Sequence, residues 1–278
     1  MKYILRVVCL LLSAIIFPIT ASAAPATPFR IGVAPHSSAR VIVGMYQPLR
    51  AHLEKVLSLP VEIITAPDFT EFARRAANQQ YDIAITTGHQ ARLLQTDAGY
   101  LPLLTYKSDF RAIALVAKES AYQAPTDLAG TTVFGLSPSS LVTIWGQHWL
   151  QRNGVQNAKV RYVSAADSVV QLVLKGEGSA AFTSLANYNG LSTEVRSQLR
   201  ILDESLPMAG RVYLLNGRLS TQKAKIDASL WEFSESPEAK QYFAQYKLNG
   251  YRQLGPRELN EMEPYANEVR QVLKQTSR

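Results

Sequence analysis

The chain has 278 residues, 47% of them hydrophobic and 18% charged, enough for one large domain or for two lobes with a core each. Its 29 basic and 22 acidic residues give a formal net charge of +7, but the lysines and arginines are scattered along the chain. That scatter excludes the dense basic stripe of a nucleic-acid-binding surface and is compatible with a modest preference for small anions.

The first residues combine Lys2 and Arg6, an apolar run over 7–17 and a small-residue ending, Ala21-Ser22-Ala23. This pattern predicts a secretory signal peptide over residues 1–23, cleaved after Ala23. The apolar run falls short of the ~20 residues that a membrane-spanning helix needs. The single cysteine, Cys9, would leave with this segment, so the mature chain has neither disulfides nor thiol chemistry. Residues 24–28 read as a Pro/Ala linker.

From residue 29 onward, short β-branched runs alternate with longer helical stretches. Strands are predicted at 29–34, 60–66, 81–86 and 100–106, with helices at 41–57, 69–78 and 90–98 between them. The apolar run FRAIALVAK follows at 110–118. A second series then places strands at 131–136, 159–164, 179–184 and 200–205, and helices at 141–153 and 167–175. RVYLLNG at 211–217 precedes helical sequence only, at 221–234, 237–246 and 256–275, with Pro237 suited to a first turn and Gly250 and Gly255 marking loops. Alternation of this kind predicts an α/β protein with parallel or mostly parallel sheets covered on both faces. Two such series joined by FRAIALVAK going out and RVYLLNG coming back predict two lobes and a two-strand hinge. The expected division is 29–110 plus 216–278 for the first lobe and 111–215 for the second, with the C-terminal helices on the first.

In open α/β sheets ligands sit beyond the carboxyl ends of strands. Four of these junctions carry short polar residues: Pro35-His36-Ser37-Ser38, Thr86-Thr87-Gly88-His89, Ser137-Pro138-Ser139-Ser140 and Thr183-Ser184. One such junction is ordinary helix capping, whereas four point to a shared polar cleft. Gly88 would let backbone N–H groups approach a ligand, and His89, more than His36, would line the cleft. Tyr46 would either reach the cleft with its hydroxyl or pack in the core. His52, His148, Trp145 and Trp149 read as surface or packing residues. Metal ligation lacks a third ligand at recognisable spacing, and no cofactor is expected. Gly176-Glu177-Gly178-Ser179-Ala180-Ala181 precedes a strand instead of opening a helix, so it is no dinucleotide site. Ser220-Thr221-Gln222-Lys223 lacks the companion motifs of a serine acyltransferase, and no G-x-S-x-G occurs. Binding is therefore expected in place of catalysis, with a secreted hydrolase using Ser139 or Ser220 as the rival.

The segment MYQPLRAHLEKVLSLPVEIITAPDFTEFARRAANQQYDIAITTGHQARLLQTDAGYLPLL, with LAGTTVFGLSPSSLVT and RVYLLNG, resembles the periplasmic substrate-binding proteins of phosphate/phosphite/phosphonate ABC transporters. The resemblance implies a two-lobed type II periplasmic-binding-protein fold that closes on a small anionic ligand and presents it to a membrane permease. A membrane sensor as partner is the alternative, and a monomer is expected. It also implies ligand contacts for Tyr46, Thr86, Thr87 and His89 in the first lobe and for Ser140 in the second. The shared-cleft reading adds Gly88, Ser139, Thr143, Thr183 and Ser184. Leu141 and Val142 stand where phosphonate binders tend to carry hydroxyls, and Ala166 where they often carry a histidine.

Overall fold

The computed structural model describes residues 27–163 and 166–276, with Ala166 and Asp167 described by their backbone alone. The expected signal peptide and the first part of the expected linker lie outside the described residues, as does the side chain at position 166. The chain forms β1 (Phe29–Val33), α1 (Ala39–Leu57), β2 (Val61–Ile64), α2 (Phe69–Ala77), β3 (Ile83–Thr87), α3 (Gly88–Asp97) and β4 (Leu101–Tyr106). It then forms β5 (Ala112–Ala117), β6 (Thr132–Gly135), α4 (Leu141–Arg152), β7 (Lys159–Tyr162), α5 (Ala166–Leu174) and β8 (Ala180–Ser184). Two short helices, α6 (Leu185–Gly190) and α7 (Thr193–Ser197), lead to β9 (Leu199–Glu204) and β10 (Arg211–Leu215). The chain ends with α8 (Lys223–Glu235), α9 (Pro237–Gln245), β11 (Tyr251–Arg252) and α10 (Glu263–Thr276).

The strands form two sheets, one per lobe, in the orders β11-β4-β10-β3-β1-β2 and β7-β6-β8-β5-β9. Each is mixed. β1 runs parallel to β2 and β3, and β6 parallel to β7 and β8. β10 lies antiparallel between β3 and β4, and β5 antiparallel between β8 and β9. Both reversed strands follow a crossing between lobes, and a chain that has just crossed must start at the edge where the neighbouring strands end.

This arrangement corrects the expected division. Residues 211–215, assigned to the second lobe as a crossing, pair with β3 from Arg211 opposite Thr87 to Leu215 opposite Ile83, well inside the first sheet. The crossings are shorter than expected and run through residues 107–111 and 205–210. They are held to each other where Phe110 bridges Met208, Ser205 exchanges bonds with Ala112, and Arg111 pairs with Glu204 at 2.5 Å.

Helices α1, α8 and α9 cover one face of the first sheet over a core that includes Tyr46, Leu49, Tyr213, Phe233 and Tyr242. A second buried cluster takes in Phe69, Phe72 and Leu94 of the first lobe and continues through Leu141, Trp145, Trp149 and Phe182 of the second. Helix α10 packs on α2 and α3 but also on α4, where His148 stacks on Tyr265. The C-terminal helices therefore do not all belong to the first lobe, because α10 straddles the two. Residues 256–262, expected to begin that last helix, are turns and a short 3-10 segment.

Candidate functional site

All four polar junctions follow strands, and two of them, at residues 86–89 and 137–140, meet across the lobes. Three of them cap helices: Ser38 accepts from the Val41 N–H, Ser140 from that of Thr143 and Ser184 from that of Asn187. Thr87 is the exception. It precedes α3 without capping it, and its hydroxyl instead meets His89 Nδ1 at 3.1 Å.

From α3 the first lobe reaches across to the second. His89 Nε2 lies 2.9 Å from the carbonyl oxygen of Ser139. A carbonyl only accepts, so Nε2 carries the proton and Nδ1 takes one from Thr87. Gln90 donates to the same carbonyl at 3.4 Å and to that of Phe69 at 3.0 Å, while its own oxygen accepts from Thr86 at 2.8 Å. The Ser139 hydroxyl meets that of Thr70 at 2.8 Å. Thr86, His89, Gln90 and Ser139 have no exposed surface, so the two lobes are closed on each other here. Burial pulls the His89 pKa down to about 4, opposed in part by the bond to Ser139, and the ring is neutral at physiological pH.

The structure thus brings together Thr86, Thr87, His89 and Ser139. Ser140 and Thr143 lie alongside, joined by a 3.1 Å bond, with Thr143 donating on to the Leu136 carbonyl. Thr183 accepts from Asn187, one turn into α6, and Thr183 and Ser184 pair in register with Ile113 and Ala112 next to the outgoing crossing. Gly88 departs from its expected use. Its N–H donates to the Ala209 carbonyl, and a Cβ there would lie 2.3 Å from that of Ala209, so the returning crossing fills the space expected for a ligand. Tyr46 is fully buried against His36 and Tyr242, and its hydroxyl has no hydrogen-bond partner among the described residues.

Two residues of the closed arrangement, Thr70 and Gln90, are not singled out by the sequence pattern, nor is Arg211, which begins β10 in the first sheet. Thr70 lies at a fifth strand-to-helix junction, Pro67-Asp68-Phe69-Thr70, and a survey of every such junction would have found it. Gln90 reads in the sequence only as the start of a helix. Arg211 is the single charged residue of an otherwise apolar strand, a signal that local pattern alone does not interpret.

A family model described as the periplasmic substrate-binding protein of phosphonate ABC transporters matches residues 31–259. A Xanthomonas citri protein solved bound to ATP superposes with a TM-score of 0.73 at 19% identity, over 87% of this chain and 98% of that one. The Prochlorococcus marinus protein PhnD1, solved with methylphosphonate, gives 0.74 at 15% identity, over 87% and 98%. A binding-protein component of a Pseudomonas aeruginosa phosphonate transporter gives 0.65 at 13% identity, over 90% and 99%. No curated protein matches the chain.

Proposed function

Because this chain belongs to the periplasmic substrate-binding proteins of phosphonate ABC transporters and has their two-lobed type II fold, we propose that it captures a small oxoanion between its lobes in the periplasm and delivers it to a membrane permease. The observation that carries the reading is the meeting of two polar loops from separate lobes, with Thr86, Thr87 and His89 on one side and Ser139, Ser140 and Thr143 on the other. Hydroxyls that bond one another in the closed form are free to turn to an anion when one enters, and each bond to a charged oxygen is worth about 1.5–3 kcal/mol.

The hydroxyl of Ser139 bonds those of Thr70 and Ser137, and His89 lies on its carbonyl, so no base addresses that oxygen. This geometry favours binding over hydrolysis. Mass spectrometry of whatever co-purifies, with a thermal-shift screen of phosphate, phosphite, phosphonates, sulfonates and organic acids, tests the reading, since a ligand selective for the native state raises Tm. Thr86→Ala combined with Ser140→Ala is expected to weaken the best ligand at least tenfold, about 1.4 kcal/mol. Unchanged affinity in calorimetry would remove both residues from the site. Stimulation of ATP hydrolysis by a reconstituted permease supports delivery for transport, whereas binding without it favours a sensory partner.

A further inference from the structure

A second group of polar atoms lies where β1 and β3 end and β10 begins, and the hydroxyl cradle does not use it. Arg211, paired in register with Thr87, is partly buried. Its contacts are weak acceptors: the Met45 sulfur at 3.7 Å and the face of Tyr106, 5.6 Å from the ring centroid. Among the described residues no carboxylate lies within 4.0 Å of it. The Tyr46 phenol adjoins the guanidinium and favours its charge, although its hydroxyl makes no hydrogen bond of strict geometry among the described residues. His36 completes the group. Its Nδ1 donates to the Ala34 carbonyl at 2.9 Å, which leaves Nε2, itself buried, as an acceptor without a partner. Burial, then the neighbouring Arg211 charge, holds this ring well below the usual histidine pKa, so it stays neutral.

An arginine is always charged, and sheltering it without an anion is costly, as is a buried acceptor with nothing to accept. The group offers a cationic fork, a hydroxyl and one bare acceptor. Its chemical complement carries a negative oxygen and, beside it, an O–H that can be donated. Resting on the oxoanion reading above, we propose that Arg211, with His36 and Tyr46, forms a recognition subsite for a singly protonated oxoanion. Arg211 supplies the countercharge, and His36 Nε2 accepts the ligand's proton. A phosphonate or phosphate monoanion fits. A sulfonate carries no proton and would set an oxygen lone pair against that of His36, so it is rejected.

The test is calorimetry with inorganic phosphate, methylphosphonate and methanesulfonate at mildly acidic pH, on the wild-type chain and on Arg211→Gln, Arg211→Lys, Tyr46→Phe and His36→Leu. We expect wild type to bind one of the phosphorus oxoanions at least tenfold more tightly than methanesulfonate. Arg211→Gln should lose at least tenfold, Arg211→Lys less, and Tyr46→Phe, which removes only the unpartnered hydroxyl, about threefold. His36→Leu should narrow the preference over methanesulfonate to below threefold. Should Arg211→Gln fail to fold, as judged by circular dichroism, the lysine and phenylalanine variants carry the readout. Equal affinity of wild type for phosphonate and sulfonate, or folded arginine and tyrosine variants with undiminished affinity, would overturn the subsite and leave the oxoanion reading intact. Failure of wild type to bind any of the three probes would overturn both.

Discussion

His89 shows how one buried side chain ties acidity to stability. Its folded pKa is near 4 against an ordinary value near 6.5, so between those values the unfolded chain binds more protons than the folded one. The sign follows directly: the stability is fully present above about pH 6.5 and is lost as pH falls toward 4, by on the order of 3 kcal/mol. His36, also held neutral by burial, acts in the same direction. Thermal unfolding across this range should therefore show Tm falling on acidification, with a shallower fall in His89→Gln. Parallel curves for the two proteins would exclude His89 as the titrating group. At Gly88 the limit is steric. A methyl group placed 2.3 Å from the Ala209 Cβ and 2.8 Å from its carbonyl oxygen forces the returning crossing away from α3. Gly88→Ala should cost about 1–3 kcal/mol in urea unfolding, and an unshifted midpoint would contradict that packing.

Secondary-structure elements were legible wherever their faces were apolar. Most strands and the longer helices announce themselves by β-branched runs and helical periodicity, because most bury a face, whereas the two-residue β11 is too short to show a pattern and is not expected from the sequence. Helices α6 and α7 were missed for the complementary reason: neither has a buried residue, so neither has periodicity to read. The position of β10 was misjudged because strand propensity is local, whereas its place between β3 and β4 is decided by pairing with residues more than a hundred positions earlier. The start of α4 bears on the cradle. Leu141 and Val142, at positions where the family tends to carry hydroxyls, are nearly fully buried in the cluster that runs on into Phe69 and Phe72. They act as core here. Leu141→Thr combined with Val142→Ser should lower stability by about 2–4 kcal/mol, measured as a reduced Tm. An unchanged Tm would mean that both side chains face the ligand space.

At the scale of the whole molecule, the fold places one sheet on either side of two short crossings, and the proposed cradle is assembled only while the lobes are closed. The sequence revealed that polar residues gather at strand ends, yet it could not reveal that they would bond to one another across the lobes, since that depends on the closing angle. Closure is held by few direct polar contacts: the His89 and Gln90 donors on the Ser139 carbonyl and the Thr70 to Ser139 hydroxyl bond, with His148 on α4 meeting Glu268 of α10 at 3.4 Å. Each neutral hydrogen bond contributes about 1 kcal/mol net, so removing two shifts the open-to-closed ratio by about 30-fold. His89→Ala combined with Gln90→Ala should therefore populate an open form, seen as a longer distance between spin labels on α1 and α4 and as a larger radius of gyration. Ligand affinity should fall in step, because the cradle must first be reassembled. Were the label distances to stay unchanged in that double variant, the continuous apolar cluster through Phe69 and Leu141 would be what holds the lobes together, and the polar contacts would serve alignment alone.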